Sequence, residues 1–531
     1  MSASPPTAVS GLGVASWRAW LSGGRLLIVL AAASLLVALI SLRIPSTPSY
    51  DPWSWLLWGR EILDHRTLHT QGGPSWKALP IVFTVPFALF GHLQPNLWLL
   101  VARAGAAMAI VMSGRIAWRV IRETGESAES SGAIWWVAPL IAGLIAAASL
   151  FNAPGFLSNS SLGYSEGLAI AFMLCAVDRF MDGRRDQAFI LGLGLALDRP
   201  ESWLLWIPFG LWLAWTDPKT RWLVGALIVL NFLLWFGPAG VSGVTRAQHP
   251  RKNSAAFTSC PLCTVFRHQA WPMVLNRIKV PAIIGMLVAA ALLARSRADW
   301  WRKTIDRASA RRIWLIVIGV FGFGWWLGVA LETQAGGFSG NSRYLAFGTA
   351  AVGIAGAIAW GGLIQWLATQ LSRLGEARAT LARFARRSVA LPTGAVAAVA
   401  LFFVVPPWVG RNLISLPKTH HALVDQALLR ENLNQIIRNY GGPNKLLACG
   451  TVMTEGFQVP MVSWALDVRM LRVEAEPSIP SPPYTGLSAT QKYAAEHDWA
   501  PLPAPNVILQ ARSQPGAALL PLPDTILHWE A

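Results

Sequence analysis

Apolar runs of the roughly 17 to 25 residues needed to cross a bilayer recur along this chain from Leu26–Leu42 onward. In hydrocarbon every backbone N–H and C=O of such a run must be satisfied within the segment, so the runs are helices. With 53% apolar and 13% charged residues in 531, and a mean hydropathy of +0.42, the composition fits no ordinary set of soluble domains. The sequence predicts an all-α polytopic membrane bundle.

About eleven spans are expected, near 26–42, 97–118, 135–157, 164–178, 187–198, 202–215, 222–237, 280–294, 313–331, 345–367 and 389–408. An alternating path puts 21 Lys/Arg on the side of the N-terminus and 12 on the other, which makes residues 1–25 a cytoplasmic segment. The densest basic segments, Arg295–Arg312 and Arg373–Arg387, fall on that side. The formal charge of +17 then reflects orientation and contact with anionic lipids, and no nucleic acid is expected as a partner. Although Arg18 and Arg25 precede an apolar core as in a signal peptide, the core runs on to Leu42, so a retained first span is expected.

Residues 26–410 thus form the membrane domain, with a long first outer loop over 43–96. After Trp408-Val409-Gly410 the composition turns polar and proline-rich, which predicts a small α/β or α+β soluble domain over 411–531, outside the cytoplasmic membrane. Within it Leu423–Arg438 has helical spacing, Lys445–Val452 and Asn506–Gln510 read as strands, and Ser478–Tyr484 reads as loop. Nothing in it matches a nucleotide loop or a metal site, so its default role is substrate binding or stabilisation.

Of four cysteines, Cys175 lies in a span, where packing explains it. Cys260-Pro-Leu-Cys263 falls in an outer loop, an oxidising setting that favours a local disulfide. A zinc site with His249 or His268 is the alternative, weaker because one CxxC without a second pair is a poor metal signal, and redox catalysis is weaker still. Cys449 lies in the outer tail.

The first outer loop opens with Ser49-Tyr50-Asp51-Pro52-Trp53, continues through an amphipathic stretch Trp53–Leu63, and reaches Gly72-Gly73-Pro74-Ser75-Trp76-Lys77-Ala78-Leu79-Pro80. Trp53, Trp55, Trp58 and Trp76 suit the headgroup zone, so the loop is expected to lie on the membrane with Asp51 at the boundary of lipid and water. A plainer role for Asp51 is to cap a helix that begins at Pro52. His65 and His69 in the same loop are candidates to bind a metal or the acceptor, with solvated loop histidines as the plainer reading.

A first span, a long outer loop that opens with an acidic residue, a Lys-x-x-Pro segment running to a Phe-Gly turn (Lys77 to Gly91) and a second span bearing Arg103 together resemble the GT-C superfamily of multi-span glycosyltransferases. The likeness is to its protein mannosyltransferase and aminoarabinose transferase-like branch. Ser165-Glu166 at the start of the fourth span, Leu197-Asp198-Arg199-Pro200-Glu201 between the fifth and sixth, and Ser342-Arg343-Tyr344 opening the tenth fit the same pattern. The chain departs from it where Ala78-Leu79-Pro80 replaces paired prolines and where no second acidic residue follows Asp51, which leaves sugar and acceptor open.

The resemblance implies transfer of a sugar from a polyprenyl phosphate, with inversion, to an envelope glycan, lipid or protein at the outer face. Such a displacement needs a base for the acceptor hydroxyl, for which Asp51 is the candidate. It also needs cations for the departing phosphate, for which Lys77 and Arg343 with Tyr344 are the first candidates and Arg199 and Arg246 the next. The plainer readings are that Lys77 snorkels to headgroups, that Arg343 anchors a span at the interface, that Glu166 and Glu201 pair with Arg199 or Arg103, and that Arg103 ties the second span to a neighbour. No cofactor is required by the sequence; a divalent cation is compatible with the family but supported by no acidic cluster. The alternatives are a catalytically inactive relative that binds an envelope glycan or partner, and a transporter or flippase of lipid-linked sugars, which should show two related halves and broken spans.

Overall fold

The computed structural model describes residues 24–125 apart from 65–67, 69, 71–72 and 75, then 136–241, 259–295, 307–335, 340–377, 396, 399, 414–475, 505–512 and 519–520. The helices of the membrane part are α1 (Gly24–Ser41), α2 (Tyr50–Leu63), α3 (Ala78–Ala88), α4 (Gln94–Glu123), α5 (Val137–Phe151), α6 (Phe156–Ser161), α7 (Glu166–Met181), α8 (Arg185–Asp198), α9 (Trp203–Thr216), α10 (Arg221–Val241), α11 (Asn276–Arg295), α12 (Arg307–Gln334) and α13 (Ala346–Ala377). Ten of the eleven expected spans coincide with helices, and the eleventh, 389–408, lies almost wholly outside the described residues.

Among the described residues six helical stretches are long and apolar enough to cross a bilayer: Gly24–Ser41, Gly91–Glu123, Pro218–Pro238, Asn276–Arg295, Arg307–Gln334 and Ser342–Gln370. The remaining helices are shorter. α8 and α9 have 14 residues each, about 21 Å at 1.5 Å per residue, against a hydrocarbon core of about 30 Å. The expected count of eleven full crossings is therefore not reproduced by helix length alone.

The bundle is built around α4, which packs on α1, α5, α7 and α13. Small residues set these contacts, since between helices in lipid close backbone approach replaces the hydrophobic drive available in water. A Cβ added at Gly105 on α4 would come within 2.4 Å of the Leu168 Cα on α7, and where α13 meets α11 one at Gly356 would come within 2.3 Å of the Ile278 carbonyl oxygen. Arg103, as expected, ties α4 to its neighbours: its guanidinium donates to the carbonyl of Ser41 at the end of α1 and, at 2.9 Å, to that of Ser161 at the end of α6.

Beyond the bundle lie α14 (Leu416–Asn439), α15 (Pro443–Leu447) and α16 (Val459–Ala465), with a parallel sheet of β1 (Val452–Thr454), β2 (Val473–Ala475) and β3 (Val507–Leu509) in the order β2-β1-β3. Val452 pairs with both Val473 and Val507. Two further short strands, Ala511–Arg512 and Leu519–Leu520, pair antiparallel. The helix over 416–439 and the strand over 507–509 agree with expectation. Residues 443–447 are a short helix instead of the start of a strand, because Gly441 and Gly442, both at positive φ, turn the chain and Pro443 opens a new first turn. The expected loop over 478–484 and the expected boundary at 408–410 lie outside the described residues.

The first outer loop differs most from expectation. Instead of lying half-exposed, α2 is buried from Asp51 through Gly59, packed on α3 and on α16 of the C-terminal part. Trp53, Trp55 and Trp58 are each at most 1% exposed. Their rings stand against Trp464, Trp98 and Trp76 at centroid distances of 5.0, 5.9 and 5.5 Å. Apolar spacing on a helix marks a face that avoids water, and here protein provides the cover that lipid was expected to provide.

Candidate active site

Five local devices bring charged side chains to one place. Asp51 stands in the first turn of α2, whose cap position is held by Ser49, so Asp51 does not cap the helix. Its carboxylate instead accepts a hydrogen bond from Arg343. Lys77 is extended (φ −136°, ψ 123°) just ahead of α3. Gly163 takes φ 90°, where an L side chain is strained, and lets the chain turn tightly against Pro52 and Trp98. The Trp98 indole donates to the Gly163 carbonyl at 2.8 Å, and the turn delivers Tyr164, Ser165 and Glu166 at the start of α7.

Pro200 excludes the helical conformation from the residue before it, so α8 stops at Asp198 and Arg199 is extended (φ −139°, ψ 106°). The Asn341 side chain accepts from the Arg343 backbone N–H at 3.3 Å and starts the tight turn Ser342–Leu345 that leads into α13. Five separate segments thereby contribute one cluster.

Its hub is Glu166. Oε1 accepts from Lys77 Nζ at 2.9 Å and from Arg199 Nη2 at 2.8 Å, with Arg343 Nε at 3.8 Å. Lys77 also donates to Ser165 Oγ at 3.0 Å and lies 3.5 Å from Asp198 Oδ1. Three carboxylates (Asp51, Glu166, Asp198) stand against three cations (Lys77, Arg199, Arg343), as burial demands, since removing one partner of a buried pair costs about 3–5 kcal/mol. Lys77 is 4% and Arg199 3% exposed, so neither snorkels to headgroups; Arg343 is likewise drawn inward, to Asp51, and is no exposed interfacial anchor.

Aromatic rings wall the cluster. The Arg343 guanidinium lies 4.2 Å from the Tyr164 ring centroid, Arg199 3.9 Å from that of Tyr344, and Lys77 Nζ 5.4 Å from that of Trp55. Several polar atoms nonetheless lack a hydrogen bond among the described residues: Glu166 Oε2, both oxygens of Asp198, and the Nε atoms of Arg199 and Arg343. A crevice with only about 10 Å³ of open space touches Glu166 and Arg343 and is lined further by Asn159, Ser160 and Met273. Ligand sites commonly enclose roughly 300–1,000 Å³, so a sugar phosphate needs this arrangement to open.

Of the residues expected at the site, Asp51, Lys77, Glu166, Arg199, Arg343 and Tyr344 are brought together. Glu201 lies two residues beyond Arg199, in the short turn Pro200–Ser202, with its Oε2 buried and without a hydrogen bond among the described residues. Arg246, His65 and His69 lie outside the described residues. Asp198 was not singled out by sequence reasoning as a site residue; its place directly before Arg199-Pro200 was the available signal. Cys260 and Cys263 are bridged, Cys175 is buried and Cys449 is exposed.

Several apolar helices long enough to span a bilayer, around a buried cluster of opposite charges, define an integral polytopic membrane protein. Among solved structures, the chain is similar to ArnT from Cupriavidus metallidurans. A crystal structure of that protein bound to undecaprenyl phosphate matches with 13% identity and a TM-score of 0.41, covering 86% of each chain. Its apo structure matches with 13% identity and a TM-score of 0.42, covering 86% of this chain and 85% of that one. Neither a protein-family model nor a curated protein matches the chain.

Proposed function

We propose that this chain is a glycosyltransferase that moves a sugar from a polyprenyl phosphate, with inversion, to a cell-envelope acceptor at the outer face of the cytoplasmic membrane. On this reading residues 1–25 are cytoplasmic and residues 411–531 extracytoplasmic. The observation that carries the reading is the contact of one carboxylate, Asp51, with one cation, Arg343, at the edge of a cluster that also holds Lys77 and Arg199.

The chemistry requires both halves of that pair. As the acceptor oxygen bonds to the anomeric carbon, its proton passes to Asp51 and the bond from that carbon to the phosphate oxygen breaks. Asp51 loses one negative charge and the leaving phosphate gains one. Arg343, in contact with Asp51, is placed to follow this charge: its forked guanidinium grips the phosphate oxygens while Lys77 adds a point charge. Net charge in the site is conserved through the step, so the buried carboxylates Glu166 and Asp198 keep their compensation throughout.

The test is transfer of radiolabelled sugar from a panel of polyprenyl-phosphate sugars by purified protein in lipid. Wild type is expected to turn over at least one donor. Asp51→Asn should lose about 10²- to 10⁴-fold, the usual worth of a general base, while still binding donor; Lys77→Ala should weaken donor binding. No turnover by wild type with any donor, together with saturable glycan binding, would favour the inactive-relative reading.

A further inference from the structure

The helix that presents Asp51 is gripped from the C-terminal side. Trp53, two residues after Asp51 in the first turn of α2, is 1% exposed. Its ring centroid lies 5.0 Å from that of Trp464 on α16. The guanidinium of Arg430 on α14 covers both rings, at 5.0 Å from Trp53 and 5.3 Å from Trp464. Arg430 forms no ion pair with a described residue, so its charge is directed at the two ring faces, which a flat guanidinium suits better than an ammonium does.

Other contacts follow the same seam. Tyr50 meets Phe457 edge-on at 5.5 Å, and Ser54 Oγ lies 3.7 Å from Met470 Sδ. Arg60 pairs with Asp467 at 2.9 Å, but the Asp467 side chain is 70% exposed, so solvent screens that pair. The cluster of Trp53, Trp464 and Arg430 is the better-shielded part of the grip, with Trp53 buried and the other two half-buried, and it lies within a turn of Asp51.

We propose that Arg430 and Trp464 are positioning residues for Asp51, and that the C-terminal domain is thereby part of the transfer machinery. This rests on the transferase reading. A helical turn is rigid, so a displacement of Trp53 is passed to Asp51, and a misplacement of about 1 Å in a reacting group can cost about 10²-fold in rate. Donor contacts lie on other segments: Lys77 ahead of α3, Arg199 after α8 and Arg343 ahead of α13. Loss of the clamp should therefore lower turnover and leave donor affinity alone.

The test uses the full chain in lipid nanodiscs, with Arg430→Gln, Arg430→Lys and, should the first fail to fold, Trp464→Leu. Arg430→Gln is expected to lower kcat at least ten-fold with the donor KM within two-fold of wild type, and to speed amide hydrogen exchange over residues 50–58. Arg430→Lys, which keeps a cation over the rings, should recover most of the turnover. A kcat within two-fold of wild type with unchanged exchange would overturn the proposal, as would a loss that Lys does not rescue and that tracks the amount of unfolded protein. Failure of the wild type to use any donor would sink the transferase reading separately, and with it the catalytic part of this proposal; the exchange measurement would still report on the clamp.

Discussion

Asp51 and Arg343 are 292 residues apart in the chain and form a buried ion pair. Their side chains are 8% and 9% exposed. A pair so placed couples the start of α2 to the turn that leads into α13. Breaking it from either side should destabilise the protein by about 3–5 kcal/mol, because the remaining charge stays buried. Exchanging the two, with Asp51→Arg and Arg343→Asp together, is expected to restore part of the melting temperature in detergent and none of the turnover, since the carboxylate then rises from the wrong segment. Full recovery of activity in the exchanged protein would contradict the assignment of Asp51 as base.

A second buried charge cluster serves a different purpose. Asp178 on α7 is fully buried and receives Arg115 at 2.8 Å, Arg119 at 2.6 Å and Arg179 at 2.7 Å. It lies twelve residues along the helix from Glu166, about 18 Å by helical rise. Asp178→Asn should lower stability by about 3–5 kcal/mol, read as reduced melting temperature and yield. Donor affinity of the folded fraction should remain within two-fold of wild type.

Close helix packing gives a prediction with an internal control. At Gly105 a side chain would collide with the Leu168 backbone, whereas at Gly225 nothing lies within 4 Å of an added Cβ. Gly105→Val is expected to cost about 1–3 kcal/mol or prevent folding, as overpacking does. Gly225→Ala should change the melting temperature by a degree or two at most.

The C-terminal part carries a pH-sensitive carboxyl. Burial pushes Glu455 above the usual carboxylate range, although the backbone N–H groups of Phe457 and Gln458 pull in the opposite direction. The folded state therefore holds this proton more tightly than the unfolded one. Stability should fall as pH rises from the ordinary carboxylate value through the raised one, and level off above it. Thermal unfolding of the full chain across that window should show the slope, and Glu455→Gln should flatten it.

The sequence by itself determined the membrane bundle, because apolar runs of spanning length leave the backbone no alternative to the helix. It also marked the segments that carry the site, Ser165-Glu166, Leu197-Asp198-Arg199-Pro200-Glu201 and Ser342-Arg343-Tyr344, each at an end of an expected span. Tertiary structure alone decided which charges meet. Whether Lys77 reached for a headgroup or for Glu166 depended on a partner 89 residues away, and whether Asp51 capped its helix or paired depended on Arg343. The burial of α2 beneath α16 was equally invisible in one dimension, since an apolar helical face looks the same whether lipid or another part of the chain keeps it from water.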